Sequence, residues 1–166
     1  MIYIYNCYGG THSSIIAAAI HLKRLPSDRV PSKSEILNTE YFNRLNKRDW
    51  GRIICHGADE EGNKVFTMGR GASKIILPCM ESLITVISNE YGLKDKVILS
   101  NMSPCVTFPM TIGGFLSRCA RIDLVGVPLL LVGTRQAYKK IVDTVNFTKS
   151  SSKSFNGPVL VLMNKN

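Results

Sequence analysis

Apolar residues follow two patterns along this chain, short β-branched runs and longer segments with helical spacing. The opening run, residues 2–7, alternates Ile with Tyr, which is typical of a strand covered on both faces. Residues 15–22 are apolar or alanine apart from one histidine, a composition that predicts a helix packed against a sheet. The chain therefore opens as strand, loop and helix.

The middle of the chain predicts a hairpin and a long helix. Residues 52–56 and 64–68 read as two strands, because the segment between them is rich in turn formers. Ser73 predicts the start of a helix from Lys74 to about Tyr91, ended by Gly92. Its apolar positions are expected to face the core: 76, 80, 83, 84, 87 and 91. The polar segment before the hairpin predicts a surface excursion with short helical pieces, residues 27–50.

The last third of the chain predicts three more strands and two helices. Residues 96–101 form a strand of the buried type, and a helix with Gly113-Gly114 at its front follows after a loop. Residues 127–135 predict a strand and turn, with Thr134 as the N-cap of a helix from Gln136 to about Phe147. A solvated linker, 149–154, and a final strand, 158–163, complete the chain.

This order of elements predicts a three-layer α/β fold, Rossmann-like or phosphatase-like, for residues 1–166 as a single domain. We expect a largely parallel sheet of five to six strands with helices on both faces. Ligands of such sheets bind at the carboxyl ends of the strands, so the glycine-rich and hydroxyl-rich segments at that edge are the candidate site.

The net charge of the chain limits the kinds of ligand that we expect. The 166 residues carry a net charge of +9, and from Asn101 onward eight Lys or Arg stand against two Asp. This basic character favours a phosphorylated small molecule or phosphoprotein as partner. Nucleic acid is the weaker candidate for a partner, since the basic residues form no Arg-rich run and are not interleaved with a stripe of aromatic residues. No targeting segment or membrane-spanning stretch is visible, which predicts a cytoplasmic protein without a membrane partner; the oligomeric state stays open.

The cysteine and histidine spacings predict neither a disulfide framework nor a metal centre, and no cofactor is indicated. Five cysteines are scattered with no pair two residues apart, and the three histidines lack ligand spacing. Cys55 and Cys79 lie inside apolar segments and are expected in the core. Cys7 alone, at the end of the first strand, has surroundings that favour reactivity.

The loop after Cys7 is the main candidate site. A helix that begins after a glycine-rich turn directs free backbone N–H groups and its positive dipole end above the strand, where an anion binds. A thiol in that field is favoured as thiolate, the nucleophilic form. The predicted phosphate-binding residues are therefore those of the loop: Tyr8, Gly9, Gly10, Thr11, His12, Ser13 and Ser14.

Cys7, five residues and then Ser13-Ser14 form a pattern that resembles the phosphocysteine loop of sugar phosphotransferase B components, where Thr or Ser and then Ser occupy these positions. It resembles less well the loop of low-molecular-weight tyrosine phosphatases and arsenate reductases, in which an arginine stands where this chain has Ser13. The first resemblance implies a phosphoryl group carried on Cys7. The second implies a phosphatase-like reaction that lacks its loop arginine.

A longer resemblance involves three motifs: the Cys7–Ser14 loop, the segment 56–63, and Ile112-Gly113-Gly114-Phe115-Leu116-Ser117-Arg118. Together they are similar to a family of short Firmicutes proteins known only as a domain of unknown function. That resemblance implies no activity.

Other residues are candidates for the same site. Arg118 or Arg121 could supply the missing cation from a second helix, and Gly113 and Gly114 either contact the ligand or permit close packing. Asp59, like His56, is a candidate acid or metal ligand at a strand end, or part of a solvated turn. Arg70, between two glycines, is either solvated or within reach of a phosphate.

Three functions are compatible with these residues. The first is phosphoryl transfer or phosphatase-like chemistry in which Cys7 attacks, the loop N–H groups hold the phosphoryl oxygens, Arg118 balances charge and Asp59 is a candidate acid. The second is a non-catalytic phosphate or nucleotide site; the absence of a Gly-Lys-Ser or Gly-Lys-Thr sequence argues against ordinary ATP or GTP hydrolysis. The third is a protein-interaction module with a degenerate loop.

Overall fold

The computed structural model describes residues 1–164 and contains one five-stranded sheet. Its strand order is β2-β3-β1-β4-β5, and every neighbouring pair is parallel except β2 with β3. The strand bounds are β1 Ile2–Cys7, β2 Ile53–Ala58, β3 Lys64–Gly69, β4 Val97–Asn101 and β5 Val159–Leu162. The sheet confirms the predicted fold class, with five strands and a mostly parallel arrangement.

Five α-helices and two short 3-10 turns connect the strands. The helices are α1 Ser13–His21, α2 Lys33–Leu37, α3 Ile76–Tyr91, α4 Phe108–Arg118 and α5 Asp123–Ser154; the 3-10 turns are Lys47–Asp49 and Ser103–Cys105. Among residues 1–164, no helix combines the length and apolar character needed to cross a bilayer.

The sheet has a hydrophobic core on each face. Alternate residues of β1 point to opposite sides, so Tyr3 and Tyr5 pack with α1 and α5 whereas Ile4 packs with α3. Every residue of α1 is buried. The alanine-rich composition of this helix allows it to lie close to the sheet, which fixes the position of the loop that precedes it.

The predictions of the hairpin and of the long helix are confirmed, whereas two predictions of buried residues are wrong. The hairpin is formed by β2 and β3, and α3 ends at Gly92 as predicted, although it begins at Ile76 rather than at Lys74. The predicted core face of α3 is only partly covered, because Leu83 and Tyr91 are exposed. Cys55 and Cys79 are also exposed. Both cysteines belong to elements with one open face, the edge strand β2 and the helix α3.

The prediction of a strand at residues 127–135 was wrong. Residues 123–154 form one helix, so Thr134 lies in the middle of it and the predicted linker at 149–154 is its last turn. The helix contains Pro128 near its start and a run of leucines that alone favours neither element. Its packing against α4 explains why it is a helix.

Glycines bring α4 and α5 into backbone contact. A Cβ atom added at Gly113 would lie 2.6 Å from both the Gly126 carbonyl oxygen and the Leu130 nitrogen. One added at Gly126 would lie 2.6 Å from the Ser117 nitrogen, and one at Gly133 would lie 2.5 Å from the Met110 nitrogen. The two helices therefore pack at a distance that no side chain permits.

We predict that Gly113→Ala and Gly126→Ala each lower the free energy of unfolding by about 1–3 kcal/mol, because overpacking outweighs the better helix propensity of alanine. Denaturant titration followed by circular dichroism measures the change. Ser82→Ala, at an exposed position of α3, is the control and should leave stability nearly unchanged. Unaltered stability in both glycine variants would contradict the close packing.

Candidate functional site

Cys7 is the last residue of β1 and lies opposite Gly69 of β3 at the carboxyl edge of the sheet. Its sulfur accepts the Gly10 N–H at 3.2 Å and lies 3.2 Å from the Ser14 hydroxyl. Both neighbours come from the loop and the first turn of α1, so the loop folds back over the thiol. The thiol is 3% exposed.

Close contact with the end of β3 sets the shape of this loop. Gly10 has a φ of +68°, which favours glycine, and a Cβ atom there would lie 2.4 Å from the Gly69 nitrogen. Arg70 and Gly71 continue the contact, since their N–H groups donate to the carbonyl oxygens of Cys7 and Tyr8. The loop is thereby fixed on one side by backbone alone.

The loop offers several hydrogen-bond donors that the protein does not use. The backbone N–H groups without a partner within residues 1–164 include those of Gly9, Thr11, His12, Ser13 and Ser14. The Ser13 hydroxyl is buried and also lacks a partner among these residues. Because these N–H groups precede or open α1, the positive end of the helix dipole reinforces them.

A segment from the surface excursion braces the other side of the loop; we call residues 41–45 the brace segment. The Thr11 hydroxyl donates to the Tyr41 carbonyl oxygen at 3.0 Å and accepts the N–H groups of Arg44 and Leu45, each at 3.1 Å. Thr11 is 3% exposed. The excursion therefore forms one wall of the candidate site.

Arg118 holds the brace segment rather than facing Cys7. Its guanidinium donates to the carbonyl oxygens of Asn43, Arg44 and Leu45 at 2.9–3.1 Å. Each of its three guanidinium nitrogens is thereby bonded to a carbonyl oxygen of the brace segment. Arg118 thus acts on the loop through the brace segment.

His12 joins the loop to the brace segment and to the α4–α5 hairpin. The Asn43 amide donates its N–H to the Ser117 hydroxyl at 2.8 Å, which leaves its oxygen to accept the His12 Nε2 proton at 3.1 Å. Ser117 in turn donates to the Asp123 carboxylate. The Nε2 nitrogen of His12 therefore carries a proton.

The surroundings of His12 keep it uncharged. Burial, and then the positive charge of Arg118, lower its pKa to about 4, although the bond with Asn43 partly opposes the shift. Gly114 provides the necessary space, since a Cβ atom there would lie 3.0 Å from the His12 Cε1 atom. Gly113 and Gly114 are in the middle of α4 and not at its front, and within residues 1–164 their tight contacts are with α5 and His12.

Asp59 lies at the opposite edge of the sheet from Cys7. It belongs to the β2–β3 turn, at the level of Ile2, and five residues at about 3.3 Å each separate that level from Cys7. Its carboxylate accepts the Nε2 proton of His21 at 3.0 Å. Burial alone would raise the pKa of Asp59, but the bonds from His21 and from Asn63 lower it to about 2. The structure therefore does not bring Asp59 to the candidate site.

Arg70 is the cation that the structure places next to the loop. Its N–H donates to the Cys7 carbonyl oxygen at 3.0 Å, and its guanidinium contacts the Asn6 and Asn101 side chains. The sequence left Arg70 open, as either solvated or within reach of a phosphate. Its position between Gly69 and Gly71, directly after a predicted strand, was the available signal.

The described residues contain no arrangement suited to a metal ion. Within 1–164, no group of three or more His, Cys, Asp or Glu side chains is placed to hold one. The ring of His21 is hydrogen-bonded to Tyr5 and Asp59, and the ring of His56 is hydrogen-bonded to Thr67. The candidate site thus consists of backbone donors, hydroxyl groups, one thiol and one guanidinium.

We predict that acidification from pH 7 to 5 destabilises the fold. Burial lowers the pKa of all three histidines, so the unfolded chain takes up protons below about pH 6.5 before the folded protein does. The stability that His12 contributes is present above pH 6.5 and is lost as the pH falls toward 4. Within this window His12 accounts for about 1.4 kcal/mol per pH unit, and His21 and His56 act in the same direction.

Denaturant titrations at pH 7 and 5 test this, with His12→Gln as the variant. Glutamine can still donate to Asn43 and does not titrate, so the loss of stability should shrink by about 2 kcal/mol. Lys139→Gln, at an exposed position, should show the wild-type loss. An equal loss in His12→Gln and wild type would refute the contribution of His12.

Comparison with known proteins assigns the chain to a family without a described activity. Residues 2–150 match the profile of a family described as "Protein of unknown function (DUF3189)". No curated protein and no solved structure matches the chain. The family match covers most of the chain and confirms that the chain belongs to an uncharacterised domain family, as expected. The chain therefore belongs to this family of proteins of unknown function.

Proposed function

We propose that this protein binds an oxyanion, namely the phosphate group of a phosphorylated small molecule or phosphoprotein, in the loop from Tyr8 to Ser14. The observation that carries the proposal is the set of loop N–H groups without partners at the start of α1. Backbone donors at a helix start are the recurring means by which α/β proteins hold phosphate. The net charge of +9 supports an anionic partner.

Bracing on both sides supports the same function. The Gly10–Gly69 contact and the Thr11 bonds hold the loop between β3 and the brace segment. Donors that are already in position lose little conformational entropy when a ligand arrives, and they need little reorganisation. Arg118 contributes to this rigidity through three carbonyl oxygens.

We predict that phosphate shifts the amide resonances of the loop. In a ¹⁵N-labelled protein titrated with sodium phosphate, the amides of Gly9, Thr11 and Ser13 should move together and give one dissociation constant. Sodium chloride at the same ionic strength should not reproduce the shifts. It changes the electrostatic screening in the same way but provides no oxyanion for the loop to bind. Shifts spread over exposed lysines, with the loop unmoved, would refute the proposal.

A pair of variants at Gly9 separates the N–H group from the side-chain space. Gly9→Ala should bind phosphate like the wild type, since the added Cβ would lie 3.6 Å from the Thr11 methyl carbon, an ordinary contact. Gly9→Pro removes the N–H group and should weaken binding about tenfold, the effect of one charge-assisted hydrogen bond. Thermal unfolding of both variants shows whether the loop has kept its fold.

A second candidate function, phosphoryl transfer through Cys7, is favoured by the contacts of the sulfur. The Gly10 N–H and the Ser14 hydroxyl can both donate to a thiolate. In that reaction a sulfur–phosphorus bond forms while the bond to the leaving group breaks, and the leaving group keeps the electron pair. Asp59 is at the other edge of the sheet, so the donor needs a leaving group that departs as a stable anion, as in an acyl phosphate.

We predict that incubation with acetyl phosphate places a phosphoryl group on Cys7 if this second function operates. Because the sulfur is 3% exposed, the attack requires the loop to move aside, and the adduct should form slowly. Peptide mass mapping locates the adduct. Buried Cys105 serves as an internal control, and Cys7→Ala should lose the modification. An unmodified Cys7 peptide after long incubation would contradict phosphoryl transfer and leave the anion-binding proposal standing.

A further inference from the structure

At the carboxyl edge of the sheet, the connections that leave two neighbouring strands run in opposite directions. β1 and β4 are adjacent; after β1 the chain continues to β2 and β3 on one side, and after β4 it continues to β5 on the other. In open α/β sheets the crevice at such a switch point is where ligands bind. The loop after Cys7 leaves from the carboxyl end of β1, beside the end of β4.

Arg70 spans the ends of these two strands. From the end of β3 its side chain crosses β1, where Nε donates to the Asn6 side-chain oxygen at 3.2 Å. Its Nη2 donates to the Asn101 side-chain oxygen at 3.3 Å and to the Ser103 hydroxyl at 3.2 Å. The guanidinium is therefore held above the ends of both β1 and β4.

The two asparagines are themselves fixed with their oxygens toward Arg70. The buried Asn6 amide donates to the Ser100 carbonyl oxygen at 3.0 Å. The Asn101 amide donates to the Met163 carbonyl oxygen at 3.3 Å, and its oxygen also accepts the Ser103 N–H. Two buried amides thus hold one cation in place from below.

No carboxylate neutralises this cation within residues 1–164. Its protein partners are neutral oxygens, and its Nη1 has no partner among the described residues. Arg118, the other partly buried arginine, differs because all three of its guanidinium nitrogens donate to carbonyl oxygens. Arg70 retains both its charge and a donor for a further acceptor.

We propose that Arg70 completes the anion site by binding the phosphate held in the first loop, and that the site thereby selects dianionic phosphate monoesters. This inference rests on the proposed function. The backbone of Arg70 already joins the loop, since its N–H donates to Cys7 and the next N–H donates to Tyr8. The loop donors are neutral, so a guanidinium supplies the charge that separates a dianion from a monoanion of the same shape.

Phenyl phosphate and phenyl sulfate provide the test, because they share their shape and differ by one negative charge at pH 8. In the wild-type protein, ¹⁵N spectra follow the loop amides and the Arg70 Nε–H group during each titration. We expect both sets of signals to move with the same dissociation constant, and phenyl phosphate to bind about tenfold more tightly than phenyl sulfate.

Arg70→Gln should lose most of this preference, and Arg70→Lys should retain part of it because it keeps the charge without the planar fork. Arg48→Gln removes an exposed charge elsewhere and should bind like the wild type. If the Arg70 variants are unstable, the wild-type titration still decides the question.

The outcomes separate the two proposals. Loop amides that respond while the Arg70 Nε–H stays in place, with equal affinity for the two esters, would overturn the role of Arg70 and leave the anion site intact. No response in the loop to either ester would overturn the proposed function, and the inference with it. A common response of the loop and Arg70 that favours phenyl phosphate supports both.

Discussion

The contact between two glycine backbones at the carboxyl edge of the sheet determines the rest of the candidate site. Gly10 and Gly69 approach so closely that a Cβ on Gly10 would lie 2.4 Å from the Gly69 nitrogen, and one on Gly69 would lie 2.7 Å from the Gly9 carbonyl oxygen. Side chains at either position would push the loop away from β3. The hydrogen bond from the Gly10 N–H to the Cys7 sulfur would then break. The hydrogen bond from the Arg70 N–H to the Cys7 carbonyl oxygen would be lost with it.

This contact fixes one side of the loop, and a distant part of the chain fixes the other. The brace segment comes from the polar excursion after α1. Three hydrogen bonds from Arg118, the last residue of α4, hold it in place. His12 extends the same connection through Asn43 to Ser117 and the start of α5. The close packing of α4 and α5 at their glycines is therefore coupled to the loop, because it sets where Arg118 and Ser117 lie.

Local sequence patterns correctly predicted those strands and turns whose burial in the fold matches their amino-acid composition. The alternation of β1 requires both faces to be covered, and they are; the turn formers between β2 and β3 do produce a hairpin. The same reasoning failed for α5, where Leu129, Leu130 and Leu131 resemble a buried strand. Gly126 and Gly133, seven residues apart with Leu130 between them, are the overlooked helical signal. Their meaning depends on α4, a contact that no local window contains.

Residue type also predicted the candidate site only in part, because the partners of a charged side chain decide what it can bind. The sequence identified the loop and its hydroxyl groups, since a glycine-rich strand-to-helix turn follows from local spacing. It offered Arg118 and Asp59 as charged participants, but one is committed to three carbonyl oxygens and the other to His21. For Arg70 the sequence left two alternatives, a solvated side chain or one within reach of a phosphate, and in the structure Asn6 and Asn101 hold it at the sheet edge. A buried amide that accepts from a guanidinium positions the cation without cancelling its charge, and a carboxylate in the same place would have ended its capacity to bind an anion.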